Sequence, residues 1–317
     1  MTLTELKYIV AVARERHFGR AAETCHVTQP TLSVAVKKLE EELDIKLFER
    51  SATEVSVTPL GEAIVRQAQS VLEQAAAIKE IAKRGKNPLN GPLTLGVIYT
   101  ISPYLLPALV YQMIARTPQM PLMLQENFTV KLLDMLRTSE IDCAILAEPF
   151  PDAGLAVAPL YDEPFMAAVP SGHPLASLGS VSSEQLKSET MLLLGAGHCF
   201  RDHVLEVCPE FARFSSNAEG IRKSFEGSSL ETIKHMVASG MGVTLVPRLS
   251  VPKEAFDSDL KRKRDEDPHL KYIPFAGDPP RRRVVLAWRR SFTRYEAIAA
   301  LRNAVYACEL PGVARLS

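Results

Sequence analysis

The 317-residue chain lacks net charge: its 37 lysines and arginines equal its 37 aspartates and glutamates. No bulk field therefore draws it to nucleic acid or to a membrane surface, and any such partner has to be argued from a motif. It lacks an apolar run long enough to span a bilayer. Its opening residues, Met1-Thr2-Leu3-Thr4-Glu5-Leu6-Lys7, have neither the cationic start nor the apolar stretch of a secretory signal. No membrane association and a cytoplasmic location are expected. Cysteines are few and odd in number, namely Cys25, Cys143, Cys199, Cys208 and Cys308, with no Cys-x-x-Cys. That excludes a structural disulfide framework and leaves each as a buried thiol or a reactive one. No catalytic constellation is visible, so no enzyme activity, metal or cofactor is expected. Repeats of 20 to 50 residues and low-complexity bias are missing too.

What remains is a globular composition, 46% hydrophobic and 23% charged. The length suits a small module plus a larger body, itself in two lobes. Leu6, Ile9, Val10 and Ala13 recur at helical spacing, and after His17-Phe18-Gly19 a short second helix carries Ala21, Ala22 and Cys25 inward. Past a His26-Val27 turn, Thr28 is placed to cap a third helix that tolerates Pro30 in its first turn and buries Leu32, Ala35, Val36, Leu39 and Leu43. Two short helices in tandem suggest a helix-turn-helix. Alternation in Ile45-Lys46-Leu47-Phe48 and Val55-Ser56-Val57, joined by Ser51-Ala52-Thr53-Glu54, predicts a two-stranded wing.

Thr58-Pro59 opens a long helix to about Gly85, in which Ile64, Ala68, Val71, Ala75, Ile78 and Ala82 form a heptad seam. The seam predicts a dimer through this helix; the alternative is packing on its own body. Lys83, Arg84, Lys86, Asn87 and Pro88 look like a linker. Beyond Pro92, apolar runs alternate with helices: 93–98, 122–124, 143–146, 165–169, 191–194, 243–246 and 284–288. Such runs predict a parallel α/β sheet buried on both faces.

The stretch FGRAAETCHVTQPTLSVAVKKLEEELDIKLFERSATEVSVTPLGEA resembles the winged helix-turn-helix of LysR-type transcriptional regulators. LTLGVIYTISPYLLPALV, EIDCAIL, VPSGHPLA and SLETIKHMVASGMGVTLVP resemble landmarks of that family's effector domain. The resemblance implies an all-α winged helix-turn-helix domain over 1–58, a linker and dimerisation helix over 59–88, and an effector domain over 89–317. The effector domain would be two Rossmann-like lobes, like periplasmic binding proteins. Lobe I would comprise 89–160 and 268–317 and lobe II 161–267, with crossings near Leu160 and Asp267 and a ligand cleft beyond the strand ends. It also implies promoter DNA and RNA polymerase as partners and a homodimer, further paired as a homotetramer.

Within that family, GAGHCFRDHVLEVC resembles the OxyR subfamily of hydrogen peroxide sensors, which implies that Cys199 is peroxidatic and Cys208 resolving. Spacing alone would not say so, because five cysteines yield one pair this close about as often as not. The resemblance further implies a peroxide pocket of Thr100, Thr129, His198, Arg201 and Asp202; N-capping is the plain role for both threonines, and packing for His198. A reactive thiol is favoured by a helix N-terminus or a cation, and Cys199 opens an apolar stripe of Phe200, Val204, Val207 and Phe211, with Arg201 two residues on. If that stripe is one helix, nine steps of about 1.5 Å separate Cys199 and Cys208 by roughly 13 Å, against about 7 Å for a disulfide. Oxidation would then have to melt it. Cys25, Cys143 and Cys308 read as inert.

For DNA, Gln29 and Pro30 fit base edges, Thr31 and Ser33 either base edges or phosphate, and Lys37 and the wing's Arg50 fit phosphate. Lys37 and Lys38 are also open to plain solvation, because Glu40, Glu41, Glu42 and Asp44 follow. The run Lys261-Arg262-Lys263-Arg264 reads as a solvated inter-lobe loop, and Arg281-Arg282-Arg283 abuts a strand without a clear role. Two other functions stay open: a LysR-type regulator answering to a metabolite between the lobes, and a thiol peroxidase with a DNA module.

Overall fold

The computed structural model describes residues 1–50, 55–84, 87–209, 226–227, 229–252 and 269–316, with the side chains of 50, 79–84 and 226–227 outside that description. Several expectations therefore fall outside the described residues: the wing turn Ser51–Glu54, the Arg50, Ala82, Lys83 and Arg84 side chains, Lys86, Phe211, the run 261–264 and the crossing at Asp267. The described residues form two compact units, the first comprising Met1–Asn87 with the short segments Arg137–Glu140 and Ser291–Thr293, the second the remainder.

In the first unit, α1 (Leu3–Glu15), α2 (Phe18–Thr24) and α3 (Gln29–Leu43) are each started by a side chain. Thr2 and Glu5 cap one another reciprocally, with Glu5 N–H donating to Thr2 Oγ1 at 3.2 Å and Thr2 N–H to Glu5 Oε2 at 2.7 Å. His17 Nδ1 accepts from Gly19 and Arg20 N–H, and Thr28 caps α3 as expected. Leu6, Ile9, Val12, Ala21, Leu32, Val36 and Leu39 form the core, whereas Ala35, Leu43 and Cys25 are only partly buried. The wing strands are β1 (Phe48–Arg50) and β2 (Val55–Val57), antiparallel, so the first lies later than Ile45–Phe48. Glu40 explains the shift. It is buried, not solvating, and Oε1 accepts from Leu47 N–H at 2.8 Å and Phe48 N–H at 3.2 Å, fixing where the strand begins.

Thr58 caps α4 (Pro59–Arg84), donating to Lys46 O and accepting from Gly61 N–H. Gly61 is required there: a Cβ would lie 2.4 Å from Leu47 O. The seam on α4 is divided. Ala68 is buried, and Ile64 and Val71 pack with it against the unit's own core, so this part of the seam is spent at home; Ile78 remains 69% exposed.

The second unit is built on one eight-stranded mixed sheet, ordered β10-β6-β11-β5-β3-β4, with β9 and β12 also paired to β6. Its strands are β3 (Leu93–Ile98), β4 (Leu122–Asn127), β5 (Cys143–Ala147), β6 (Leu155–Pro170), β9 (Thr244–Pro247), β10 (Leu270–Pro274), β11 (Arg281–Arg289) and β12 (Ala314–Arg315). Among the described strands of this sheet, β3, β4 and β5 alone pair in parallel. The expected all-parallel sheet is corrected by β6, whose 16 residues pair antiparallel with β11 in one half and with β9 and β10 in the other. One strand thus serves both lobes, which an apolar-run count cannot distinguish from two strands. β10 pairs with Met166–Pro170 of β6. β4 is an edge strand with Met123 and Leu124 exposed, not the doubly covered strand expected.

Helices α5 (Ser102–Arg116) and α6 (Thr129–Arg137) follow β3 and β4 in the first lobe. In the second, α7 (Ser183–Leu186) and β7 (Leu193–Leu194) precede α8 (Cys199–Val207); β7 pairs with β8 (Glu226–Gly227). Among the described residues no helix is long and apolar enough to cross a membrane.

Candidate functional site

The loops after β3 and β4 and the start of α8 meet at a cavity of about 10 Å³, lined by Ile98, Tyr99, Thr100, Asn127, Phe128, Thr129, Gly197, His198 and Cys199. That is the scale of one water-sized molecule. The chain can turn into α8 because Gly197 takes φ +96°, a left-handed value costly for other residues, and a Cβ there would press within 3.3 Å of the Phe128 ring.

The structure brings together Thr100, Thr129, His198 and Cys199. It leaves Arg201 and Asp202 off the lining: Arg201 Nη1 donates to Leu194 O at 3.0 Å, and Asp202 is exposed on α8. Neither threonine caps its helix by side chain. The N-cap of α5 is Ile101, without a side-chain bond, and the buried Thr129 Oγ1 makes no bond of full hydrogen-bond geometry, although it lies close enough to the Cys199 sulfur to favour the thiolate. His198 starts α8 without capping it, and its ring packs edge-on to Phe128 at 4.8 Å and beside Tyr99 at 5.9 Å.

Burial dominates the Cys199 thiol and pushes its pKa up; Thr129 and Arg282 pull it down, and Asp202 adds to the rise. The helix N-terminus and cation expected to favour a reactive thiol are thus opposed by burial. A helix N-terminus and a cation are present, but desolvation of a half-closed site outweighs them. The cation is also a different one. Arg282, not Arg201, exerts the pull, and it is 2% exposed while Arg281 and Arg283 face solvent, as alternation along β11 requires. Arg282 Nη1 donates to Thr100 Oγ1 at 2.7 Å and Nη2 to Thr100 O at 3.0 Å. Its guanidinium also lies 5.3 Å from the Phe200 ring centre. Since Thr100 Oγ1 accepts from Arg282, its own proton remains available to a guest in the cavity.

Sequence reasoning missed Arg282 as a site residue, and the signal was the period of two in Arg281-Arg282-Arg283. It also missed Asn127, whose position two residues before Thr129 at a strand end was the hint.

α8 runs without interruption from Cys199 to Val207, with Cys208 as its fully buried C-cap. Both cysteines are free thiols. Phe200 and Val204 are buried along the helix, Phe200 edge-on to Phe165 at 5.1 Å. His203 Nε2 meets Glu148 O at 2.7 Å, tying α8 to the segment after β5, and burial pushes its pKa down. Cys143 and Cys308 are buried and Cys25 partly so, all with pKa raised by burial first. Among the described residues no group of three or more His, Cys, Asp or Glu is placed to hold a metal.

In the first unit, Gln29, Pro30, Thr31 and Lys37 are exposed on α3 and Ser33 is half-buried; Lys37 pairs loosely with Glu41 and Lys38 with Glu5. Val34, not anticipated, is 68% exposed on the same face.

Residues 3–62 match the family described as bacterial regulatory helix-turn-helix protein, lysR family, and residues 86–307 match the LysR substrate binding domain. The DNA-binding transcriptional dual regulator OxyR of Escherichia coli K12 is 38% identical over 302 residues, covering 94% of each chain. A full-length cysteine-to-aspartate variant of OxyR from Pseudomonas aeruginosa has 49% identity and a TM-score of 0.70, over 98% of this chain and 96% of that one. An H2O2-bound mutant of Corynebacterium glutamicum OxyR has 32% identity and a TM-score of 0.61, over 96% and 92%.

Proposed function

The chain belongs to the lysR family of bacterial helix-turn-helix regulators, in its OxyR branch, and from that premise we propose that its output is switched by hydrogen peroxide reacting at Cys199. It is a redox-sensing, DNA-binding transcription regulator. Peroxide occupies the cavity, with the Thr100 hydroxyl donating to it and Arg282 fixing that hydroxyl. The Cys199 sulfur attacks one peroxide oxygen, the O–O bond breaks, and the departing oxygen leaves as water with the thiol proton, giving a sulfenic acid. The Cys208 sulfur then attacks Cys199; an S–S bond forms, the S–O bond breaks, and a second water carries off the hydroxyl with Cys208's proton. Two thiols lose two electrons and one peroxide becomes two waters. A reductant from outside must restore the thiols before the chain can respond again.

The observation that carries this proposal is the uninterrupted α8, with one thiol lining the cavity and the other buried at its far end. About nine residues of helix hold the two roughly 13 Å apart, so the disulfide requires α8 to unwind. Release of Phe200, Val204 and the His203 bond to Glu148 then repacks the second lobe. A cavity the size of one water favours peroxide over a metabolite. We assign Gln29, Pro30, Thr31, Ser33 and Lys37 to promoter DNA, and the exposed part of α4 around Ile78 to a homodimer that pairs into a tetramer acting on RNA polymerase in the cytoplasm. The family alone supports the tetramer and the polymerase.

Mass spectrometry of protein treated with one equivalent of peroxide is expected to find a Cys199–Cys208 cross-link, and footprints of reduced and oxidised protein are expected to differ unless Cys199 is serine. Both thiols free after oxidation, or a Cys199→Ser footprint that still answers to peroxide, would overturn the assignment.

A further inference from the structure

One buried charge next to the site is left unexplained by the switch. Glu163, on β6, is 0% exposed. Its Oε2 accepts from Arg282 Nε at 2.9 Å and lies 2.8 Å from Nη2, and its Oε1 accepts from Leu249 N–H at 2.8 Å. Arg282 in turn holds both the hydroxyl and the carbonyl of Thr100. A buried carboxylate is retained at a cost unless paired, and here the pair is complete: every guanidinium nitrogen of Arg282 has a partner.

We infer that Glu163 is a positioning residue for the peroxide site: its carboxylate holds the Arg282 guanidinium against Thr100 and, by offsetting that cation's charge, restrains how strongly Arg282 activates Cys199. The inference rests on Cys199 being the reacting thiol. Two opposed effects follow from the geometry. As a clamp, Glu163 fixes the Nε edge of Arg282, so that Nη1 is aimed at Thr100 Oγ1. As a charge, it leaves the Arg282 pair nearly neutral seen from the cavity, so the cation's pull on the Cys199 sulfur is a fraction of what a bare guanidinium would exert at that range. The other groups that act on Cys199 are Thr129 from α6 and Asp202 from its own helix, with the His198 ring beside it. Around Glu163, Tyr161 and Arg248 also feel its charge. Among the described residues Glu163 is the carboxylate in contact with Arg282, so none of these grips the Nε edge in its place.

The test is the pH profile of Cys199 alkylation by iodoacetamide in the reduced full-length chain, read on the Cys199 peptide. Glu163→Gln keeps an acceptor for Nε but removes the charge. Alkylation below pH 8 is expected to rise about three- to tenfold, with the limiting rate at high pH unchanged, because thiolate fraction scales tenfold per pKa unit. A merely structural role would change Tm and leave that profile in place. If Glu163→Gln does not fold, the comparison moves to Arg282→Gln against the double variant Glu163→Gln/Arg282→Gln, whose neutral amides can still bond to one another. Arg282→Gln alone leaves Glu163 uncompensated and is expected to slow alkylation; the double variant is expected to regain threefold or more. Identical profiles in both comparisons would overturn the role of Glu163. Absence of Cys199 alkylation in the unmodified chain at any pH would instead overturn the assignment of Cys199 itself.

Discussion

Val204→Ala is the sharpest probe of whether α8 has to come apart. Val204 is 3% exposed on the inner face of α8, packed where Leu192, Leu193, Leu230 and Ile233 gather. Truncation removes two methyl-sized groups from a closed core, about 1.5–2.5 kcal/mol for transfer and residual cavity. Alanine returns about 0.5 kcal/mol because it is the better helix former. The net loss of about 1–2 kcal/mol falls on the reduced form alone if the disulfide form has already withdrawn the helix from that core. The dithiol–disulfide equilibrium then moves about five- to thirtyfold toward the disulfide, and the reduction potential becomes more negative by about 20–45 mV. Redox titration in dithiothreitol buffers, with free thiols trapped by alkylation, measures this directly. Val246→Ala, fully buried on β9 in the same lobe, serves as control; it should lower Tm and leave the potential in place, because β9 is packed in both forms. A Val204→Ala protein with lowered Tm and an unchanged potential would refute the unwinding of α8.

Other expectations follow from named contacts. Burial pushes the His203 pKa below its ordinary value, so the folded form disfavours the protonated ring; the associated stability is present above about pH 6.5 and is lost as pH falls through the folded value. Thermal melts between pH 7 and 5 should show an acid loss that His203→Gln reduces, and an equal loss in the variant would remove His203 as its source. The Cys199 pKa is raised, mainly by burial, so alkylation should climb about tenfold per pH unit from 7 to 8.5 without a plateau; saturation by pH 7 would mean a thiolate already formed. Glu40→Ala strips two wing N–H groups of their acceptor and should cost about 1–3 kcal/mol of DNA-domain stability. Promoter affinity, measured by fluorescence anisotropy, should fall with it, and an unaltered melt would show the wing start to be held otherwise.

Local chemistry was legible in residue order. Thr28-Gln29-Pro30 announced α3, Thr58-Pro59 announced α4, and the apolar stripe from Phe200 through Val204 announced α8 and with it the gap between Cys199 and Cys208. Each of these is settled within a turn or two of chain, by a cap, a fixed proline φ or a helical period. The placement of Thr100, Thr129, His198 and Cys199 was available only through family resemblance, because they come from three separate loops.

What the sequence determined by itself is therefore the helices and wing of the first unit and the span between two thiols on one helix. Tertiary structure alone decided the rest. It showed that β6 serves both lobes antiparallel, since run length does not encode pairing direction. It showed that the near half of the α4 seam is buried at home, since a heptad stripe does not name its partner. And it replaced Arg201 by Arg282, since a charge 83 positions away along the chain, at Arg282, can reach Cys199 only once β11 lies beside β6. Whether a cysteine is thiol or thiolate depends on that enclosure and on which charge shares it, and neither is a property of neighbouring letters.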